Sequence, residues 1–505
     1  MDGRVGHFIW AICYLAVLFG LCLYGAHRYV IVYLFYKHRK NVPKPVRQFD
    51  ALPKVTVQLP IFNELYVVER LLDAVSKLDY PRDLLQIQVL DDSTDETQEI
   101  CEAKMKELRA QGFDIEHKHR LDRSGFKAGA LAAGLDTCKG DYILILDADF
   151  VPTPNLLQET IHFFTDPGIG MIQSRWGHLN RTFSLLTRVQ AMFLDGHLVL
   201  EQTARSRSGR FFNFNGTAGL WRRSCIENSG GWQHDTLTED LDLSYRAQIK
   251  GWRFIYLADL VTPAELPAEI NGFKSQQHRW TKGSIQTCKK LLPVIWRNKE
   301  LPILIKLEAT AHLTSNFAYL LLFFLCVLLH PISGGLGAGV WRTVLLDIPV
   351  FVAASLSACV FYVCAQRILY PRTWMKEILL LPLLLGLGIG LAINNARAVL
   401  EAMFNHASEF TRTPKYGIVK KNQPLRASRY KALKTVLPVI ELGFAAYFTV
   451  VLLEAMLRNQ WGSVPFLLLF QGGFSYVGLA SIAQYRPRAT QESDVEDEPE
   501  DALPA

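Results

Sequence analysis

Long apolar runs gather at both ends of this chain, on either side of a middle with ordinary water-compatible composition. The chain is 50% hydrophobic yet still 20% charged, and the two are not evenly mixed. An apolar run of about 20 residues is long enough to cross a bilayer as a helix. Phe8 to Tyr36 is such a run, followed by Lys37, Arg39, Lys40, Lys44 and Arg47. A cleaved signal peptide would have a shorter apolar core and a small-residue cleavage site. The stretch reads as a retained transmembrane helix whose C-terminal end faces the cytoplasm. His312 to Ile332, Val344 to Arg367, Val436 to Leu457 and Val464 to Ala483 read as further spans. Ile378 to Ala392 is shorter, and Asn394 to Phe404 continues it as an amphipathic stretch.

Charge fixes the expected topology. The middle domain and the basic loop from Thr411 to Lys434 should share the cytoplasmic side, so an even number of crossings lies between them. Two spans supply that number, which makes 378–404 interfacial or re-entrant. The expectation is five spans, with the soluble domain and the C-terminus in the cytoplasm. The divisions are 1–42, an N-terminal helix; 43–300, a soluble domain; 301–486, a membrane region; and 487–505, an acidic, disordered tail.

The net charge of +6 is no nucleic-acid signature. There is no basic recognition helix and no RNA-binding aromatic motif, so no nucleic-acid partner is expected. None of the nine cysteines forms a C-x-x-C pair, which leaves neither a zinc site nor a disulfide framework indicated.

Within the middle, strands alternate with helices. Val55–Pro60, Leu84–Leu90, Phe113–His119 and Tyr142–Leu146 read as strands. Val67–Leu78, Ile100–Gln111 and Phe126–Leu135 read as helices. This alternation predicts an α/β fold with a mostly parallel sheet. Polar residues follow successive strands, and ligands of such sheets bind beyond the carboxyl ends of strands. No G-x-G-x-x-G follows a strand and no Walker lysine loop occurs, so neither a dinucleotide nor a P-loop binder is expected. Gly386-Leu387-Gly388-Ile389-Gly390 lies in an apolar segment and reads as helix packing.

Four motifs in this domain could carry chemistry. Asp91-Asp92 ends one strand, and Asp147-Ala148-Asp149 ends another. Thr238-Glu239-Asp240 opens a helix from Leu241 to Lys250. Gln276-Gln277-His278-Arg279-Trp280 lies in a basic helical stretch, Lys274 to Lys290. Each has a plain alternative, because Asp is common in turns and Thr238 with Asp240 could simply cap a helix. Taken together they suit sugar-nucleotide chemistry. Hard oxygen ligands hold Mg²⁺ or Mn²⁺, completed by substrate phosphates. A cation stabilises the diphosphate leaving group. A carboxylate takes the proton of an attacking hydroxyl, and its position opposite the leaving group implies inversion. An indole can stack on a sugar face. His234, His278 and His312 lack metal-ligand spacing and read as structural.

In these motifs the chain resembles the membrane-embedded family 2 glycosyltransferases. The likeness is strongest to the plant cellulose-synthase-like A and C proteins and their bacterial relatives, and runs from Pro53 to Leu292. It implies a GT-A type nucleotide-sugar domain inserted between transmembrane helices. By this resemblance Asp91 or Asp92 contacts the nucleoside beside Pro60 and Glu64, and Lys127 binds the donor. Asp147 and Asp149 hold the diphosphate and Mg²⁺ or Mn²⁺. Asp240 is the general base. Glu239, Gln276, Arg279 and Trp280 serve the diphosphate and acceptor, and Asn215, Gly216 and Thr217 form the acceptor-side loop. Phe410, Thr413 and Lys415 are similar to a gating loop of bacterial cellulose synthase, with Arg412 in place of its valine.

The implied reaction moves a hexose from UDP-glucose or GDP-mannose to an acceptor hydroxyl. A processive synthase would extend and translocate a β-linked mannan, glucomannan or glucan. A glycolipid synthase would add one sugar to a membrane lipid, and a catalytically dead scaffold would do neither. The expected location is a plasma membrane in a bacterium or a Golgi membrane in a plant, with the catalytic domain in the cytosol. The sequence leaves partner subunits open.

Overall fold

A computed structural model describes residues 3–332, 348–407, 412–419, 423 and 435–485. Residues 55–264 hold a seven-stranded sheet in the order β3-β2-β1-β4-β6-β5-β7. Its strands are β1 Val55–Ile61, β2 Leu85–Asp91, β3 Asp114–His119, β4 Tyr142–Ile145, β5 Ile169–His178, β6 Gly219–Arg222 and β7 Arg253–Ala264. Every pairing is parallel except the two made by β6.

The expected strands form where their apolar residues can be covered on both faces. One face sets Val57, Leu59, Ile87, Val89 and Leu144 against helices α2 (Val68–Ser76) and α3 (Thr97–Ala110). The other sets Ile143, Ile145, Met171 and Trp221 against α4 (Phe126–Leu135). Polar side chains on β1 and β2 are also buried, and they pair across the two strands. Thr56 donates to Gln86 (2.8 Å) and Gln58 donates to Gln88 (3.0 Å), as buried polar groups must.

Strand β6 was not anticipated. It has four residues and wedges antiparallel between β4 and β5. Because it runs the opposite way, its N-terminal end lies where the parallel strands finish. The loop that leads into it, Asn215-Gly216-Thr217, is thereby delivered to the same edge as Asp91 and Asp147.

Helices α5 (Leu156–Ile161), α6 (Leu185–Asp195), α7 (Gln202–Arg207), α8 (Arg223–Asn228) and α9 (Glu239–Ile249) complete this domain. Helix α10 (Ile270–Arg297) then runs beneath it toward the apolar helices. It lies so close to the start of α9 that a side chain at Gly283 would meet the Thr238 amide nitrogen at 2.8 Å. Thr238 precedes α9 but makes no side-chain capping bond; its Oγ1 lies 3.4 Å from Thr287 Oγ1 on α10.

Among the described residues four helices are long and apolar enough to cross a membrane: Phe8–His38 of α1 (Gly3–His38), α13 (Ile348–Leu369), α16 (Leu437–Leu457) and α17 (Val464–Ala483). Two bent pairs add up to two more, making six if each pair is one span. The first is α11 (Ile303–Thr314) with α12 (Phe317–Ile332), which meet at 54°. The stretch expected as a single span, His312 to Ile332, is therefore divided after Thr314. The second is α14 (Trp374–Gly390) with α15 (Ala392–Met403), at 41°; this is the segment expected to be interfacial or re-entrant. The acidic tail and most of the basic loop lie outside the described residues.

Leu144, on the strand before Asp147, is 1% exposed. Leu144→Ala should destabilise the domain by about 2–5 kcal/mol, the range for emptying such a core position. A fall in the unfolding midpoint of the purified protein, with the apolar helices unaffected, checks this.

Candidate active site

The carboxyl ends of β1, β2 and β4, the loop before β6, the start of α9 and one face of α10 enclose a single cavity. Most residues singled out in the sequence line it. They are Pro60, Glu64, Asp92, Lys127, Asp147, Asp149, Asn215, Gly216, Glu239, Asp240, Gln276, Arg279 and Trp280, with Thr413 and Lys415 from the later segment. Phe410 lies outside the described residues.

Two expected residues do not face the cavity. Asp91 is fully buried behind Asp92. Its Oδ1 accepts from the Ser93 amide (2.8 Å), and its Oδ2 lies 3.1 Å from His117 Nε2 and 3.7 Å from His119 Nδ1. Burial alone would raise its pKa, but the bonds from His117 and Ser93 outweigh it and hold the carboxyl below its usual range. Ligand atoms of Asp91, His117 and His119 lie within 4.8 Å of one another, a group that includes neither Asp147 nor Asp149. Thr217 is also buried; its Oγ1 accepts from the Asp147 amide (2.8 Å) and so fixes the turn that aims Asp147.

Cations meet the carboxylates one by one. Arg120 grips Asp92 through two bonds, Nε to Oδ1 (2.8 Å) and Nη2 to Oδ2 (2.6 Å), the fork geometry that suits a carboxylate. Lys127 bonds Asp147 and donates to the Gly216 carbonyl (2.8 Å). Burial would lower the Lys127 pKa, but Asp147 and Glu239 raise it, so it stays charged. Lys415 donates to Asp149 Oδ2 (2.6 Å) and to the Glu265 carbonyl (2.9 Å).

Asp240 sits in the first turn of α9, where its Oδ1 accepts from the Leu241 amide (2.8 Å). A Cβ on Gly216 would lie 2.9 Å from Asp240 Oδ2, and Gly216 has φ +84°. Close approach and backbone conformation both demand glycine there. Burial, reinforced by the neighbouring Glu239 charge, pushes the Asp240 pKa up to about 7. Burial also raises Glu239 and lowers Arg279. A carboxyl near 7 in a cleft suits proton transfer at neutral pH.

The segment 412–419 straps the mouth. Arg412 bonds Glu64 twice (3.0 and 2.5 Å). Glu265, just after β7, is 3% exposed and accepts from the amides of Tyr416 (2.9 Å), Gly417 (2.9 Å) and Ile418 (3.2 Å). Sequence reasoning missed Glu265, Arg120, Arg123, Trp176 and His178. Arg123 lies over the Phe62 ring, 3.3 Å from its centroid, and both line the cavity. Of these, only the aromatic and histidine character of Trp176-Gly177-His178 at a strand end offered a signal. Two of the three histidines read as structural are hydrogen-bonded or ion-paired: His312 Nδ1 to Tyr245 Oη (2.7 Å), and His278 Nε2 at 3.1 Å from Glu401.

Comparison with known proteins agrees with this geometry. Residues 53–283 match the family described as glycosyltransferase-like family 2. Glucomannan 4-beta-mannosyltransferase 2 of Arabidopsis thaliana is 40% identical over 303 residues, 57% of this chain and 57% of that protein. Probable glucomannan 4-beta-mannosyltransferase 7 of Oryza sativa subsp. japonica is 42% identical over 259 residues, 50% of this chain and 44% of that protein. The chain thus spans about half the length of the curated relatives it matches. The fold is also that of the mannosyltransferase PcManGT from Pyrobaculum calidifontis, solved with GDP-Man and Mn²⁺. That structure covers 79% of this chain and 99% of its own, with a TM-score of 0.53 at 21% identity. Residues 53–283 therefore form a family 2 glycosyltransferase domain of the GT-A type, attached to helices apolar enough to cross a membrane.

Proposed function

We propose that this chain is an inverting mannosyltransferase that takes mannose from GDP-mannose and extends a β-linked mannan or glucomannan. The observation that carries the reading is the placement of Asp240 beside Gly216. It shares one cavity with the Lys127–Asp147 pair and Arg279, and Lys127 Nζ lies near the same glycine. The names of the plant relatives supply the sugar.

Asp240 Oδ2 takes the proton of the acceptor hydroxyl as that oxygen bonds to the anomeric carbon. The bond from that carbon to the phosphate oxygen breaks on the opposite side, which inverts the centre and releases GDP. Lys127 and Arg279 face the charge that develops on the diphosphate, and being fixed beforehand they need not reorganise during the reaction. Trp280 offers an apolar face to the acceptor sugar.

Asp147 and Asp149 fit a divalent cation. Both are hard oxygen donors facing the same space, and the hydrogen bonds to the Asp149 carboxylate all fall on Oδ2. When bound, Mg²⁺ or Mn²⁺ would neutralise diphosphate charge there. Lys415 holds Asp149 in this structure and would have to share it or yield. On the positive-inside argument the domain faces the cytosol, where nucleotide sugars are made.

Purified enzyme in lipid should release GDP from GDP-mannose, in preference to UDP from UDP-glucose, and make polymer. Asp240→Asn should cut turnover by at least about 10²-fold while nucleotide binding persists. Near-normal turnover in that variant would remove Asp240 from the mechanism. An organic-soluble product carrying one sugar would replace the polymer with a glycolipid.

The raised pKa of Asp240 has two pH consequences. In the free enzyme the base is ready only above about 7, so kcat/KM should climb as pH rises through that value. For stability the sign reverses. The folded protein holds this proton more tightly than the unfolded chain, so stability falls as pH rises from the ordinary Asp pKa through about 7. Asp240→Asn should therefore raise the unfolding midpoint more at pH 8 than at pH 5, and an equal gain at both would contradict the shift.

A further inference from the structure

The cavity contains a second carboxylate-backed group that the transfer step leaves unused. His178, the last residue of β5, lines the cavity near Trp176, Trp280 and Leu266. Its Nε2 lies 3.3 Å from Oδ1 of Asp195, which ends α6 and is 2% exposed. Arg181 Nη1 (2.8 Å) and Gln366 Nε2 (2.9 Å) both donate to the other oxygen, Oδ2. Burial would raise the Asp195 pKa, but these donors and His178 outweigh it and keep the carboxylate charged. A carboxylate can only accept, so Nε2 must be the ring nitrogen that carries the proton. In the neutral ring Nδ1 then keeps its lone pair, and Nδ1 makes no hydrogen bond to any described residue.

What surrounds the imidazole indicates what Nδ1 accepts from. Trp176 and Trp280 stand with ring centroids 6.5 Å apart and planes at 50°, forming a corner rather than a parallel slot. Leu194 and Leu266 pack against the same two indoles. Two indole faces meeting at a corner suit the C–H face of a sugar ring, and a lone pair at the edge suits one of its hydroxyls. A diphosphate fits poorly here, because it has no proton to donate and Asp195 lies behind the ring. Lys127 and Arg279 serve the diphosphate elsewhere in the cavity.

We propose that His178 is an acceptor-binding residue, taking a hydrogen bond at Nδ1 from a hydroxyl of the glycan acceptor, and that Asp195 is the positioning residue that fixes its tautomer. This rests on the mannosyltransferase reading and names the part of the site that reads the acceptor. Gln366 belongs to α13, one of the helices long enough to cross a membrane, and is itself fully buried. Arg181 also bonds Glu377 (3.2 Å) at the start of α14. The orientation of the imidazole is thus pegged to the membrane helices, which places acceptor recognition where the glycan would leave the soluble domain.

The test uses full-length enzyme in lipid nanodiscs, titrated separately with β-1,4-linked mannohexaose and with GDP-mannose. Quenching of tryptophan fluorescence reports the first, and competition with a labelled nucleotide reports the second. His178→Ala should weaken mannohexaose binding by about tenfold or more, the effect of leaving one sugar hydroxyl unpaired in a closed site. Nucleotide affinity should stay within about twofold. His178→Gln, whose amide can donate to Asp195 and accept from the sugar, should recover part of the loss, and Asp195→Asn should lose affinity in the same direction as His178→Ala. Unchanged mannohexaose affinity in His178→Ala overturns the proposal. So does an equal loss of both affinities in His178→Ala and His178→Gln, which would mark a merely structural histidine. A wild-type enzyme that releases GDP from GDP-mannose yet does not bind mannohexaose overturns this inference and leaves the donor reading standing. One that ignores GDP-mannose overturns the mannosyltransferase reading itself.

Discussion

A single ammonium group holds the two halves of this site together. Lys127 reaches from the start of α4 to Asp147 at the end of β4, and to the Gly216 carbonyl in the loop before β6. Several buried carboxylates share the cavity, and like charges at such range would drive one another to protonate. Asp92, Asp147 and Asp149 are each bonded to a cation, Arg120, Lys127 and Lys415 respectively. Asp240 is different. It has no cation in hydrogen-bonding contact among the described residues, and burial, with the Glu239 charge beside it, raises its pKa to about 7.

Much of this was legible in the sequence for a physical reason. Val55 to Pro60 and Tyr142 to Leu146 are short apolar or alternating runs with polar residues close behind, Asn63-Glu64 after the first and Asp147 after the second, and a parallel sheet puts all such ends on one edge. Once the edge is fixed, Asp147 and Asp149 have almost nowhere else to point. Gly216 likewise betrays a close approach. Strand β6 was not legible, because four residues carry no usable period and its direction is set by neighbours far away in the chain. The break after Thr314 was hidden too, since Ser315 and Asn316 are a brief polar interruption within a long apolar stretch.

Long-range charge partners were illegible for another reason. Arg120 and Asp92, Arg412 and Glu64, and Glu265 with the amides of 416–418 are brought together only by the fold. Arg412 was noticed as a departure from the gating-loop pattern, and it proves to be the residue that closes on Glu64. Asp91 shows the opposite error. Its position in the motif suggested ligand contact, but its carboxylate is spent on Ser93 and His117. In a pair of adjacent acids at a strand end, alternation sends one outward and one inward, and the motif alone does not say which.

The close packing of Gly283 on Thr238 bears on more than local fit. Helix α10 is tied at its other end to the membrane helices, where Lys274 meets the fully buried Glu441 at 2.6 Å and Asn271 donates to the Ser481 carbonyl (3.1 Å). Only the Thr238 side chain fills the space between helix and loop, and it leaves no room for a further carbon on Gly283. A shift of α16 and α17 would be passed along α10 as along a stiff rod and arrive two residues from Asp240. The contact of Gly283 with Thr238 thus couples the packing of the apolar helices to the start of the helix that carries Asp240.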